Sequence, residues 1–361
     1  MSRSSIEWLH RPGTLPESWN FVTGCNKVDR GCKHCYAEIM HRRLQFMYPK
    51  KYDHDFLTGA HVHEELLQLP FSWKKPCTVF VNSMSDLFHE NVPFDTILHA
   101  WAIMLATQQH TYIIATKRVE RAREYFDWLA KESEPMQKKY AMYREYICPE
   151  ERVKLLMRER FGIDVIRSAV YPSKNIWLLA SVNDQASANL RIPVLITLPV
   201  KVKGISAEPL TGPIDIEAIV APRAENHSAN GKSLGLKKIH HLAWIIAGGE
   251  SGGKASALSP WWLRNLRDQA KDAEVPFFFK QWGEYIPNSQ YEGPELKANR
   301  YKWVNSATGK MTPAIGHWNE TEMLQHQDQV IRMGKKAAGR VLDGKTHDGF
   351  PFGETYDDLP F

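Results

Sequence analysis

The sequence predicts an α/β protein whose central sheet is parallel, either a βα barrel or a doubly wound sheet. Short apolar runs of four to six residues recur along the chain, as in strands that are buried on both faces. Segments with a helical period separate these runs about six times, which is the pattern of repeated βα units. The length of 361 residues fits one barrel with insertions and an added C-terminal segment.

Seven apolar runs predict the strands, and the segments between them predict the helices. The strands are expected at 20–23, 78–82, 111–115, 176–181, 200–206, 243–247 and 275–279. The helices are expected at 36–47, 94–107, 118–131 and 260–273. Pro260 stands at the start of the last helix, where a missing backbone N–H costs no hydrogen bond.

Three segments interrupt this alternation and are expected to be insertions. Residues 48–76 are polar with several prolines and histidines, 132–173 are rich in charge, and 221–240 contain the loop-like run ENHSANGKSLG. The barrel with these insertions is expected to span residues 1–286. Residues 287–361 add little strand signal, and we expect a C-terminal extension that packs on the barrel.

Composition places the chain among ordinary globular proteins, with 43% apolar and 24% charged residues. No apolar run approaches the roughly 18 residues of a membrane helix, and the first residues lack the apolar core of a signal peptide. We therefore expect a cytoplasmic protein without a membrane partner, whose five cysteines stay reduced. The net charge of +5 permits a nucleic-acid partner without establishing one. The sequence does not predict an oligomeric state.

Three of the five cysteines lie within eleven positions, at Cys25, Cys32 and Cys35, in the spacing C-x6-C-x2-C. Clustered thiolates are the ligands of iron–sulfur clusters, and three of them can hold three irons of a cubane. A zinc site with His34 or a distant histidine is the second interpretation. Three unliganded cysteines near a turn are the third.

Further segments carry a resemblance over nearly the whole chain: TGCNKVDRGCKHCYAE, VNSMSDLFHENVP, ATKR, SVND, ISAEPLTGPID, IIAGGESG, FFFKQWGE and GRVLDG. Together they resemble a divergent branch of the radical S-adenosylmethionine (SAM) superfamily, the phage-associated three-cysteine-motif proteins. This branch is more remotely related to spore photoproduct lyase. The usual spacing in the superfamily is C-x3-C-x2-C with an aromatic residue before the last cysteine. Here the first gap is longer, and His34 stands at the aromatic position.

The resemblance implies a partial (βα)6-type, TIM-like barrel of the radical SAM kind. A [4Fe-4S] cluster on Cys25, Cys32 and Cys35 would bind SAM and cleave it to a 5′-deoxyadenosyl radical, with electrons from a donor such as flavodoxin or ferredoxin. The implied activity modifies or repairs a nucleobase or nucleotide. A modified pyrimidine of bacteriophage DNA is one such substrate, and the host cytoplasm would then be the location.

Polar residues follow the predicted strands, where barrel active sites lie. Glu208, Glu250 and Lys280 follow the last three strands and are the candidate catalytic residues. A buried Lys280–Glu250 ion pair is the structural alternative to catalysis. The serines and aspartates at the other strand ends can equally be helix caps. The resemblance implies that SAM contacts lie among His34, Tyr36, Ser83, Ser85, Asp86, Lys117, Ser181, Asn183 and Glu208.

Two other classes of function compete with radical chemistry. One is a zinc- or cluster-stabilised protein that binds nucleic acid without catalysis. The other is a barrel hydrolase in which Asp86, Glu208 and Glu250 hold a divalent metal, but it leaves the three-cysteine loop unexplained. For a nucleic-acid partner, we expect phosphate contacts from basic residues of the insertions: Lys138, Lys139, Arg144, Arg158, Lys232, Lys237 and Lys238.

Overall fold

Seven parallel strands form one curled, half-barrel sheet. The computed structural model describes residues 4–140, 149–163, 173–220, 241–313 and 327–352. The strands up to the end of this sheet are β1 (Leu15–Trp19), β2 (Val22–Thr23), β3 (His61–Val62), β4 (Cys77–Val81), β5 (Thr111–Thr116), β6 (Ile176–Ser181), β7 (Val202–Ala207), β8 (Trp244–Ala247) and β9 (Phe277–Phe279).

The order of strands across the sheet is β1, β4, β5, β6, β7, β8, β9, so each sheet strand lies beside the next one along the chain. A doubly wound sheet reverses its order at a switch point. The consecutive order therefore favours the barrel alternative, and the sheet is compatible with a partial TIM-like barrel. The predicted α/β class with a parallel sheet is confirmed.

The first sheet strand is not the one that the sequence predicts. Residues 20–23 were expected to start the sheet, but β1 lies before them, and β2 pairs with β3 outside the sheet. Among the described strands, β1 is an edge strand that pairs only with β4, and only Pro16 and Trp19 of its five residues are buried. It contains Pro16, which an edge strand tolerates. An edge strand of this kind lacks the continuous apolar run of the central strands.

The helices within the described residues are α1 (Tyr36–Met47), α2 (Phe94–Ala106), α3 (Val119–Tyr140), α4 (Pro149–Phe161), α5 (Gln185–Thr197), α6 (Ile216–Val220), α7 (Pro260–Asp272) and α8 (Lys335–Ala338). The predictions for α1, α2 and α7 are confirmed to within one residue. α3 continues past its expected end at 131, so the expected insertion 132–173 begins inside a helix. None of the described helices has both the length and the apolar character that a membrane crossing needs.

Aromatic rings fill the inner face of the sheet beneath the strand ends. Inner and outer residues alternate along each strand, so Trp177 and Trp244 lie inside while Leu178 and Ile245 pack outside against the helices. The rings of Trp177 and Trp244 lie 5.5 Å apart in an edge-to-face contact. The inner cluster includes rings from both ends of the chain as well as the sheet: Trp8, Phe80, Trp177, Trp244, Phe278 and Phe350.

The C-terminal region contains a second sheet of four antiparallel strands, β10 (Tyr285–Pro287), β11 (Tyr301–Asn305), β12 (Met311–Pro313) and β13 (Gln327–Arg332), in the order β10, β13, β11, β12. The chain then returns to the half-barrel. The indole nitrogen of Trp244 donates to the carbonyl of Gly349 (2.7 Å), and the amide of Phe279 donates to the carbonyl of His347 (2.9 Å). The expected insertion 221–240 lies outside the described residues.

Candidate functional site

The candidate site lies at the carboxyl ends of the sheet strands, on the inner face. Residues two apart along a strand share a face, so polar residues that follow an inward aromatic ring also point inward. The register of β7, β8 and β9, continued by one residue, aligns Glu208, Gly248 and Lys280 in one row. The contacts described below agree with this register.

Lys280 and Glu208 form an ion pair in this row, with 3.0 Å between Nζ and Oε1. The other carboxylate oxygen of Glu208 accepts from the indole of Trp8 (3.2 Å) and from the hydroxyl of Ser206 (3.3 Å). Lys280 therefore pairs with Glu208, and not with Glu250 as the structural alternative to catalysis had it. Gly248 separates the partners, and a Cβ there would lie 2.9 Å from Glu208 Oε1 and 3.4 Å from Lys280 Cβ. The pair meets where this glycine leaves room.

Glu250 connects the end of β8 to the cysteine loop, which comprises residues 24–35. Its Oε1 lies 2.8 Å from Nδ1 of His34, and its Oε2 accepts from the amide of Ser256 (2.7 Å). A Cβ on Gly249 would lie 2.0 Å from the carbonyl oxygen of Trp282. This glycine therefore allows two protein segments to touch. A Cβ on Gly252 or Gly253 would have no heavy atom within 4 Å.

Asp29 is the central anchor of the cysteine loop, and sequence reasoning did not select it. Its two oxygens are each 2.6 Å from a cation, Oδ1 from Lys117 Nζ and Oδ2 from Arg191 Nη2. Burial alone would raise the pKa of Asp29, but hydrogen bonds and charges from these two cations outweigh it and lower the pKa. Lys117 also donates to Oδ1 of Asn183 (3.1 Å), so the loop is fixed to the ends of β5 and β6.

Gly31 explains the close approach of the cysteine loop to the sheet. A Cβ on Gly31 would lie 2.3 Å from Oδ1 of Asn183, so only glycine lets the loop backbone rest on that amide. Ser181, at the end of β6, is half-buried, and its carbonyl accepts from Nη1 of Arg191 (2.7 Å). Arg191 is itself buried, on α5. Sequence reasoning did not select Arg191, because α5 itself was not predicted.

The segment after β4 supports the loop from another side. Asp86 accepts hydrogen bonds from the hydroxyl of Thr116 (2.7 Å) and from a guanidinium nitrogen of Arg118 (3.2 Å). The amides of Phe88 and Lys117, both 3.0 Å away, complete its shell. Asp86 therefore stabilises the turns after β4 and β5, and SAM contact by this residue stays a prediction.

Ser83, Ser85 and Tyr36 also bind protein groups. The Ser83 hydroxyl donates to the side chain of Asn20 (3.1 Å), and the Ser85 hydroxyl donates to the carbonyl of Gly24 (2.5 Å). The Tyr36 hydroxyl donates to the carbonyl of Ser83. These contacts connect the loop, the start of α1 and the segment after β4, and a role in binding a cofactor stays a prediction for all three.

The three loop cysteines are free thiols with partial solvent access. Cys25 and Cys35 pack beside the same small cluster of Tyr52, Phe56 and Met84. Burial raises the pKa of Cys25 to about 12, with a further rise from the charge of Asp86.

A guanidinium nitrogen of Arg118 lies 3.6 Å from the sulfur of Cys25 and opposes this rise in pKa. Burial also raises the pKa of Cys35. Both thiols therefore hold their protons at neutral pH, and a metal that binds them must displace protons. Within the described ranges, no three histidine, cysteine or acidic side chains converge as ligands of a single metal ion.

The expected insertion 48–76 covers the remaining side of the loop. The amide of Cys25 donates to the carbonyl of Phe56 (2.8 Å), and the Thr23 hydroxyl lies 2.7 Å from Nε2 of His63. A Cβ on Gly24, which has a positive φ of 82°, would lie 2.3 Å from the carbonyl oxygen of Gly59. The loop is thus held between the sheet and this segment by contacts that need glycine.

The fold and this site define an α/β protein with a half-barrel sheet and a thiol-bearing loop fixed over its strand ends. Residues 3–351 match the family described as "Protein of unknown function (DUF5131)", and the chain belongs to that family. Comparison with curated proteins and with solved structures gave no match.

Proposed function

We propose that the protein is a radical SAM enzyme that modifies or repairs a nucleobase or nucleotide. The observation that carries this proposal is the position of the cysteine loop. Contacts of Asp29 and His34 fix it over the carboxyl ends of a curled parallel sheet, where barrel enzymes hold their active sites. The sequence resemblance to radical SAM proteins supports the same interpretation.

The donor set fits an iron–sulfur cluster. Cys25, Cys32 and Cys35 supply three soft thiolates from one short loop, and none of them is in a disulfide. We propose that they hold a [4Fe-4S] cluster whose fourth iron has no protein ligand and takes SAM. When bound, the cluster and SAM supply the reductive cleavage that yields methionine and a 5′-deoxyadenosyl radical.

The residues of the inner face then position the reactants. Glu208 is held by Lys280 and Trp8, so its charge is balanced and its carboxylate has a fixed orientation. Glu250 binds His34 and thereby keeps the loop in register with β8. We propose that these two carboxylates orient SAM or substrate. The buried aromatic rings of the inner cluster exclude water beneath these two carboxylates, and this favours controlled radical chemistry.

A nucleic-acid or nucleotide substrate is the proposed class because the chain is mildly basic, with a pI near 8.8, and resembles DNA-linked relatives. Of the basic residues that we expected to contact phosphate, Lys138 is exposed, while Lys139 pairs with Glu159 at 2.7 Å. Four other members of this set lie outside the described residues: Arg144, Lys232, Lys237 and Lys238.

Anaerobic reconstitution with iron and sulfide tests the proposal. We expect a brown protein with about four irons per chain that forms 5′-deoxyadenosine from SAM after dithionite reduction. Mass spectrometry with and without single-stranded DNA, duplex DNA and nucleotides then identifies the substrate class. A fully reconstituted protein that neither binds SAM nor forms deoxyadenosine under any of these conditions contradicts radical chemistry. A colourless zinc protein contradicts the cluster itself.

A further inference from the structure

Helix α1 presents an apolar face to solvent. Only Ala37 and His41 are buried on this helix. The opposite face carries large apolar side chains, and Phe46 is 93% exposed. The other members of this face are 40% to 65% exposed: Tyr36, Ile39, Met40 and Met47. A helix of a soluble protein normally buries such a stripe, so a contiguous exposed one marks an interaction surface.

Positive charge predominates in the segment of the chain that carries this apolar face. Residues 27–50 contain six lysines and arginines against two acidic residues, a net charge of +4, while the whole chain carries +5. Both acids are already engaged by protein cations. Asp29 is held inside the loop, and Glu38 pairs with Lys27 (3.2 Å) and Arg42 (3.1 Å). The segment therefore offers an apolar centre with a basic rim.

The surface begins at the candidate redox site. Cys35 is the residue directly before α1 and forms its N-terminal cap position. A macromolecule bound on the outer face of α1 therefore lies next to the cysteine loop. Reductive cleavage of SAM consumes one electron per turnover, so a donor must reach this part of the chain.

We propose that the outer face of α1, with Phe46 in its apolar centre and Arg42 and Arg43 on its basic rim, docks an acidic one-electron carrier protein of the flavodoxin type. This inference rests on the proposed radical SAM function and names the partner of the same site. In each encounter the reduced flavin transfers one electron to the oxidised cluster. The flavin is thereby oxidised by one electron, and the cluster is reduced by one electron. Such encounters use small interfaces and electrostatic steering.

The side chains favour a protein over a nucleic-acid strand on this face. Methionine, aromatic residues and arginine are the residues enriched in protein interfaces. A strand-binding surface interleaves stacking rings with cations. Here Ile39, Met40 and Met47 are exposed on the same face as the rings, and aliphatic side chains offer no stacking plane.

Binding is the first test, and it needs no turnover. Oxidised flavodoxin is titrated with iron-free and with reconstituted protein, and flavin fluorescence anisotropy reports the complex. We expect Arg42→Glu/Arg43→Glu to weaken binding at least tenfold at low salt, because steering by charge is lost. Phe46→Ala should weaken it severalfold. The matched control is Lys131→Glu/Lys271→Glu, which reverses two exposed lysines on α3 and α7.

Reduction is the second test and separates docking from chemistry. Photoreduced flavodoxin should reduce the cluster of the Arg42→Glu/Arg43→Glu variant at least tenfold more slowly than that of the wild type. Dithionite needs no docking surface, so it should reduce both proteins equally and give equal deoxyadenosine. Equal rates with flavodoxin overturn the docking proposal and leave the radical SAM proposal standing. A wild-type protein that binds no iron overturns both.

Two other occupants of α1 would also overturn the docking proposal. One is a second copy of the chain, shown by a wild-type dimer that Phe46→Ala converts to a monomer while flavodoxin binding is unchanged. The other is single-stranded DNA. It would be shown by an affinity for DNA that falls in the Arg42→Glu/Arg43→Glu variant while the rate at which flavodoxin reduces the cluster stays unchanged.

Discussion

Replacing Asp29 by asparagine should release the cysteine loop from the sheet. The carboxylate of Asp29 holds Lys117 and Arg191 at 2.6 Å each, and the side chain of Arg191 is 4% exposed. A hydrogen bond to a charged group contributes about 1.5–3 kcal/mol, and breaking a buried ion pair costs about 3–5 kcal/mol. The amide keeps one acceptor, so we expect the free energy of unfolding to fall by about 2–3 kcal/mol.

Urea unfolding of the iron-free protein, followed by tryptophan fluorescence, measures this change. Asp343→Asn is the matched control, because Asp343 also bridges two arginines, Arg264 (2.8 Å) and Arg267 (2.6 Å), but is half-exposed. Exposed pairs contribute at most about 1 kcal/mol. Asp29→Asn should also lower iron content after reconstitution. A loss of less than about 0.5 kcal/mol, or an equal loss in both variants, would refute the assignment of Asp29 as the anchor.

Two further outcomes concern iron content and turnover. Alanine at Cys25, Cys32 or Cys35 should remove most of the iron, whereas Cys77→Ala should leave the iron content unchanged. A full complement of iron in any of the three loop variants would contradict the assignment of these cysteines as ligands. Gly248→Ala should separate Lys280 from Glu208 and lower productive turnover roughly tenfold to a hundredfold with iron unchanged; unaltered turnover contradicts a role for that pair.

Burial lowers the pKa of several histidines in the folded chain, so below about pH 6.5 the unfolded chain binds more protons than the folded chain does. The free energy of unfolding should therefore fall as the pH falls below about 6.5. The urea midpoint of the iron-free protein at pH 5.5 should be lower than at pH 7.5, and an equal or higher value contradicts this. The histidines concerned are His54, His63, His89, His99, His110 and His347.

Local pattern was enough to predict the central strands and several helices, because buried strands and amphipathic helices each have a sequence period. It was also enough to predict that Glu208, Glu250 and Lys280 stand at strand ends. It was not enough for partners that are distant in sequence. Asp29 meets cations 88 and 162 positions away, and no local signal specifies such contacts. A capping box at Asp184 and Ser187 marked the start of α5, which we did not predict.

The pairing of Lys280 shows which part of a site depends on the sheet itself. Two carboxylates follow neighbouring strands, and Glu250 follows β8, the strand beside that of Lys280. In the register of the sheet, however, the position opposite Lys280 is Gly248, and the next position in that row is Glu208. A glycine has no side chain to fill the row, so the lysine reaches across it to the second carboxylate at 3.0 Å. Glu250 is thereby left to bind His34 of the cysteine loop. One glycine thus assigns the two carboxylates their different partners, one within the sheet and one in the loop that carries the thiols.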